Sequence, residues 1–240
     1  MAESNVRTPL IPPAAKVAPV ARWIVRTILG GGILAAMLFL SAGSCDWLGA
    51  WLYVGGMVAA GLAAAIVVDP DLLAERMTRR HPNQKPWDRI LFGLYGVVTA
   101  MAVPLAAGFD RRYAWAPVLP AWLIWLALGV FILGWAVDLW AMNANKYFAE
   151  VVRLQSDRGQ TVVSRGPYLY MRHPGYLGGV LFLLSCPFLL GSQWSIVPAI
   201  LGAALLVVRT ALEDRMLIAE LPVYSEYAAR VRYRLLPGVW

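Results

Sequence analysis

Cysteine, histidine and charge are all scarce in this chain. Two cysteines and two histidines occur in 240 residues. Cys45 and Cys186 are too few and too far apart for a disulfide framework, and no metal centre is expected from so few ligands. Charged residues make up 15% against 60% hydrophobic. A soluble fold of this length has no room to hide that much apolar surface, so the soluble classes are excluded. No internal repeat is found either. Carriers often show one together with intramembrane charges in both halves, and here the polar residues gather at one end.

What the chain does have is long uncharged runs. Crossing a bilayer as a helix takes about 20 apolar residues. Such runs occur at Thr27–Cys45, Trp47–Val68, Ile90–Phe109 and Tyr113–Val137, and a fifth and longer one covers Pro174–Val208. Gly191, Ser192 and Gln193 break the fifth run into two arms, which predicts a tight helical hairpin, either just spanning or partly re-entrant. The expected fold is an all-α integral membrane protein of about six transmembrane helices, ending in this C-terminal hairpin.

Nineteen of the 21 lysines and arginines fall on one side of these runs, leaving Arg111 and Arg112 on the other. The bias predicts that both termini and the central stretch are cytoplasmic. It also accounts for the formal charge of +7 through anionic lipid, so no nucleic-acid partner is expected.

Three regions follow. Residues 1–21, rich in Pro and Ala, are expected to be a flexible tail. Residues 22–112 hold the N-terminal spans and an amphipathic piece, Asp71–Arg80, expected to lie along the interface. Residues 113–240 carry the unusual chemistry. The fourth span ends in Asp138, Asn143 and Asn145, polar groups that are costly at membrane depth unless they are paired or face a wet cavity. Asn143 and Asn145 are expected to line such a cavity. An amphipathic segment, Tyr147–Leu154, and a polar turn, Gln155–Gln160, come next. Thr161–Val163 is β-branched and suits an extended piece that offers backbone N–H and C=O groups. The Arg172-His173 pair precedes Pro174 at a helix N-terminus, a ready site for an anion. Arg209 and Glu213 lie four apart and share a helix face, as a plain surface pair would. Tyr224–Arg234 has the pattern of a helix resting on headgroups.

The run G-P-Y-x-Y-x-R-H-P-x-Y-x-G from Gly166 to Gly178, then E-D-x-x-L from Glu213, Y-x-x-Y from Tyr224 and R-L-L-P from Arg234, resembles the isoprenylcysteine carboxyl methyltransferase family. That family is related to the phospholipid N-methyltransferases. The resemblance spans Asn143–Pro237. It implies an S-adenosylmethionine site at the cytoplasmic face, formed by the ends of the last helices and the loop between them. By the same resemblance the cofactor is held by the backbone around Gln160, Thr161, Val162 and Val163, by Tyr168, by His173, Pro174, Gly175 and Tyr176, and by Glu213. Arg209 matches the family's arginine at the reacting end, which makes Arg209 and Glu213 the implied catalytic residues.

The chemistry of those residue types suits the cofactor. Tyrosine rings can face a sulfonium or an adenine, Glu213 suits an ammonium, and His173 with helix N–H groups suits a carboxylate or an adenine edge. With a carboxylate acceptor, Arg209 would make a forked pair. An amine acceptor would need a general base, for which Glu213, Asp214 and His173 are the candidates, so an anionic or soft acceptor is favoured. Two departures stand out: Asp214 replaces the usual second Glu, and Leu221–Tyr224 is one residue shorter than the family's F-G-x-x-Y. The expected partner is therefore the broader one, a lipid or lipidated acceptor reaching the site from the bilayer. Sterol and steroid reductases, which bind NADPH, carry H-P-N-Y-x-G-E instead; Gly175 and Gly179 replace its Asn and Glu. A non-enzymatic membrane scaffold or carrier is the third alternative.

Overall fold

The computed structural model describes residues 13–78, 81 and 83–240, and for 13–16 the helix path alone. Among them are nine α-helices and no strand. Five stretches, Val17–Ala42, Leu48–Val67, Pro86–Tyr113, Ala121–Ala144 and Ile196–Glu220, are long and apolar enough to cross a bilayer, making this a multi-pass membrane protein.

Helix α1 runs Pro13–Ala42, so the expected tail at 1–21 is helical from Pro13 on. Met1–Pro12 lies outside the described residues. Helix α2 is Leu48–Val67 and α3 is Pro70–Met77. The latter starts where the Asp69 carboxylate accepts from the Asp71 N–H at 2.8 Å, with Pro70 in the first turn; both are standard helix-start chemistry. Arg79 and Arg80, at the end of the expected amphipathic piece, lie outside the described residues. Helices α4, Pro86–Val97, and α5, Val103–Tyr113, join through one π-helical turn at Val98–Ala102. Pro104 explains the turn, since it lacks an N–H and its ring displaces a carbonyl of the turn before it.

Helix α6, Ala121–Ala144, begins and ends about seven residues later than the apolar run suggested. Pro117 and Pro120 hold the segment before it extended. Asp138 and Asn143 thereby become helix residues.

After a long loop come α7, Pro174–Leu190, and α8, Ile196–Glu220, packed along each other and joined through Gly191 in a left-handed conformation, φ 68°. At the joint Ser192 donates to the buried Asp110 at 2.7 Å. The joint therefore lies at the Arg111–Arg112 end of the bundle. Helix α9, Tyr224–Arg230, closes the fold.

The most extensive helix–helix contact is between α6 and α7, where backbone meets backbone. A Cβ at Gly134 would lie 2.8 Å from the Gly178 carbonyl, and one at Gly178 would lie 2.6 Å from the Gly134 carbonyl. Only glycine allows this approach, the usual device where lipid supplies no hydrophobic drive. The contact sets the loop between the two helices over one end of the bundle.

Candidate functional site

The loop from Asn145 to His173 has little regular structure apart from two short 3₁₀ turns, and the expected amphipathic segment Tyr147–Leu154 is not a helix. Its backbone is used elsewhere. The Phe148 carbonyl accepts from Arg76 at 3.2 Å and the Glu150 carbonyl from Arg209 at 2.6 Å. The Val152 N–H donates to Asp88 at 2.8 Å, and its carbonyl accepts from the Lys85 N–H at 3.0 Å. Farther along, Gln155 donates to the Tyr147 carbonyl at 2.7 Å and Gln160 accepts from the Gln155 N–H at 2.7 Å. Groups held by side chains from three helices are not free to form a helix. Val162 and Val163 lie in no helix or strand, and among the described residues their N–H and C=O groups have no backbone partner.

Asp214, fully buried on α8, is the knot that joins the last helices. Arg172 clamps it with Nε and Nη2 at 2.7 and 2.8 Å, Arg234 donates at 2.8 Å, Tyr224 donates at 3.1 Å, and His173 Nε2 lies 3.2 Å away. The third arm of Arg172 donates to the carbonyls of Val231 and Arg232 at 2.8 and 3.0 Å. The Arg172-His173 pair therefore already has its anion, and it belongs to the protein. Sequence spacing suggested an open anion site because the acid that fills it lies 42 residues on.

Arg209 corrects a second expectation. It is 6% exposed and bonds the fully buried Asp88 through Nε at 2.7 Å while Nη2 holds the Glu150 carbonyl. The fork expected for an acceptor carboxylate is thus taken up inside the protein. Its guanidinium also lies over Phe92 and Tyr176, 5.1 and 5.5 Å from the ring centres. Glu213 makes no ion pair with Arg209; it accepts a short hydrogen bond from the Tyr176 hydroxyl. The plain surface pair is absent because both residues face inward. Helix α9 likewise does more than rest on headgroups: Tyr224 and Tyr227 are buried, and Tyr227 donates to the Tyr168 carbonyl at 2.7 Å.

These groups meet around a cavity of about 750 Å³. Gln160, Thr161, Val162, Val163, Tyr168, His173, Gly175, Tyr176, Arg209, Glu213 and Asn145 all line it. Pro174 is buried in the first turn of α7 but does not line it, and Asn143 is exposed and off the cavity. Asn145 donates to the Tyr168 hydroxyl at 3.2 Å. Burial pushes the Tyr168 phenol up, and Glu213 adds to this against the lowering effect of the Asn145 bond. Burial also raises Tyr224, with Asp214 contributing, and Tyr227. All three remain neutral hydroxyls at physiological pH.

The cavity has two parts. Aromatic and polar groups of the loop, α8 and α9 wall one end. The other runs down among α1, α2, α4 and α7, past Leu34, Met57, Tyr95 and Phe182. Sequence reasoning missed Asp88, Arg76, Glu150 and Trp135. Asp88 had one visible signal, as an acid in the first turn of an apolar run directly after Lys85-Pro86.

The arrangement can hold a ligand that carries a cation and a flat apolar group at the loop end and, beside it, a second ligand with an apolar tail in the membrane part. A profile of the isoprenylcysteine carboxyl methyltransferase (ICMT) family matches residues 125–219, which covers most of α6, the loop, α7 and nearly all of α8. No curated protein matches the chain.

Proposed function

We propose that this chain, which belongs through residues 125–219 to the isoprenylcysteine carboxyl methyltransferase family, transfers a methyl group from S-adenosylmethionine to a lipophilic acceptor drawn from the bilayer. The observation that carries the reading is the meeting of His173 and Glu213 in one cavity. Glu213 takes part in none of the ion pairs among the described residues, so its carboxylate is available to a ligand ammonium. The unpaired backbone of Val162 and Val163 offers donors and acceptors to an adenine edge, and the rings of Tyr168 and Tyr176 supply electron-rich faces. These residues fit the cofactor.

When bound, S-adenosylmethionine supplies an electrophilic methyl group on a sulfonium sulfur. The chain's own residues then hold two ligands in line and keep water out, and positioning of that kind supplies most of the acceleration in a displacement needing little acid–base work. Glu213 anchors the ammonium, with Tyr176 fixing the carboxylate. Arg209, held by Asp88, keeps Tyr176 and the Glu150 carbonyl in place and presents its remaining face to the cavity. The membrane part admits the acceptor's tail between helices, so a lipid or lipidated molecule enters laterally. We place the site and both termini on the cytoplasmic side from the Lys and Arg bias, and take 113–240 as the catalytic region.

The test is ligand protection of the purified protein. S-adenosylhomocysteine is expected to raise the Tm and NADPH to leave it unchanged, with His173→Ala removing the effect while the protein stays folded in detergent. Protection by NADPH alone would overturn the reading in favour of a reductase.

A further inference from the structure

Two buried donors in the cavity wall lack an acceptor. Arg76 Nε and Trp135 Nε1 have no hydrogen-bond partner among the described residues, and both side chains line the cavity. A buried donor left unpaired is expensive, so each marks a place where an acceptor on a ligand belongs. Neither has a role in the cofactor site described above. Arg76, in the last turn of α3, also lies outside the stretch that matches the family profile.

The charge of Arg76 is incompletely met. Its Nη1 donates to the Phe148 carbonyl at 3.2 Å. Among the described residues the acid within ion-pair distance is Glu150 at 3.9 Å, and Arg26 approaches that same carboxylate at 3.5 Å. Asp138 lies beyond that distance, though the guanidinium's charge reaches it. Arg76 sits over Phe148, 5.1 Å from its ring centre, and Phe148 and Asp138 both lie against Gly175. The next residue, Tyr176, holds Glu213, so this corner adjoins the cofactor end. Trp135 is one turn farther from the loop than Asp138, about 4.5 Å along α6. It packs edge-on against Phe182 in the membrane part, ring centres 5.6 Å apart. The two donors therefore sit in succession along the cavity, and a lone carboxylate is too short to bridge them.

We propose that these donors read the acceptor's head at two points: Arg76 Nε receives a terminal carboxylate, and Trp135 Nε1 receives a carbonyl oxygen set a few atoms nearer the tail. This rests on the methyltransferase reading and assigns the acceptor's head to residues of its own. Arg209 is not the anchor, because two of its nitrogens already hold Asp88 and the Glu150 carbonyl. One carboxylate oxygen forms the O–C bond to the methyl group as the C–S bond breaks and its electron pair stays on sulfur. The products are a methyl ester and S-adenosylhomocysteine, and no proton changes hands. The ester has lost the charge that Arg76 recognises, so the contact that holds the substrate releases the product.

The experiment uses the full chain in phosphatidylcholine nanodiscs at neutral pH, titrated with N-lauroylglycine, its methyl ester, laurate or dodecylamine, against empty nanodiscs. Wild type is expected to bind N-lauroylglycine best and laurate next, with the ester and the amine about tenfold or more weaker than N-lauroylglycine. Arg76→Gln should weaken N-lauroylglycine about ten- to a hundredfold, the loss of one charged hydrogen bond, and erase the preference for acid over ester. A merely structural role would leave that ratio unmoved. Trp135→Phe should weaken N-lauroylglycine by up to about tenfold and leave laurate unchanged, since laurate has no second carbonyl. Neither variant should alter S-adenosylhomocysteine affinity. Asp138→Asn should bind N-lauroylglycine at least as tightly as wild type; weaker binding would give the head to Asp138 and overturn the proposal. So would ester or amine binding as tight as the acid, or a preference for acid that survives Arg76→Gln. If that variant does not fold, Arg76→Lys, which lacks Nε, decides by the same ratio. Equal weakening of laurate and N-lauroylglycine by Trp135→Phe overturns the role given to Trp135. With tritiated methyl donor, label released by alkali as methanol supports the ester, and alkali-stable label overturns it. Failure of S-adenosylhomocysteine to bind would remove the methyltransferase reading instead, while titrations made without it judge Arg76 and Trp135 separately.

Discussion

Asp214 and Glu213 are neighbours in sequence on the same helix, and the structure puts them in opposite situations. Around Asp214, two arginines, a histidine and a tyrosine converge on one carboxylate with no exposed surface. Glu213, and Asp138 along the same cavity, enter none of the ion pairs found among the described residues. A step of about 100° along a helix separates a saturated knot from an unsaturated wall. A carboxylate with all its partners supplied by the protein holds helices together. One without them is available to something else.

That contrast can be broken at its strong side first. Asp214→Ala should leave the buried Arg172 and the partly exposed Arg234 without their anion and cost about 3–5 kcal/mol, read as a large drop in Tm in detergent whether or not ligand is present. Glu213→Gln should leave the Tm of the free protein within experimental scatter and weaken S-adenosylhomocysteine about ten- to a hundredfold, measured by calorimetry. Asn143→Ala, off the cavity, is the control that should change neither. If Glu213→Gln unfolds the protein as Asp214→Ala does, the two acids are alike and the contrast fails.

A smaller effect concerns pH. Burial raises the phenols of Tyr168, Tyr224 and Tyr227 above their ordinary value, which is about 10. Above that pH the unfolded chain loses these protons while the folded chain keeps them, so the unfolded state binds fewer and stability falls as pH rises. Stability should therefore be level from about pH 7 to 9 and decline beyond about 10, followed by thermal melts across that range. Replacing Tyr224 with Phe should soften the decline.

Much of the site was legible because the signature from Gly166 to Gly178 keeps its residues within one loop and one helix start. Local spacing then carries them together, and Tyr168, His173, Gly175 and Tyr176 all reach the cavity. The partners of Arg209 and Arg172 were not legible. Asp88 lies 121 residues from Arg209, and the loop carbonyl of Glu150 lies 59 away. No periodicity links such positions, and Arg209 read naturally as the mate of the acid one turn on. Helix α6 was misplaced for a related reason: hydropathy marks where a helix is greasy, while its ends are set by proline geometry and by what the last turns pack against.

The amino-acid sequence on its own determined that the chain is an all-helical membrane protein, with most of its Lys and Arg on one side of the apolar runs and its polar signature in the segment after the fourth span. Those properties follow from composition and from local spacing, which every stretch of the chain carries within itself. Tertiary structure alone decided which acid is knotted to the protein's own cations and which lines the cavity, that Arg209 is already paired, and that Asp138 lines that cavity too. Pairing depends on which helices meet, and here the bare glycine contact between α6 and α7 brings Asp138 to the wall that Glu213 completes.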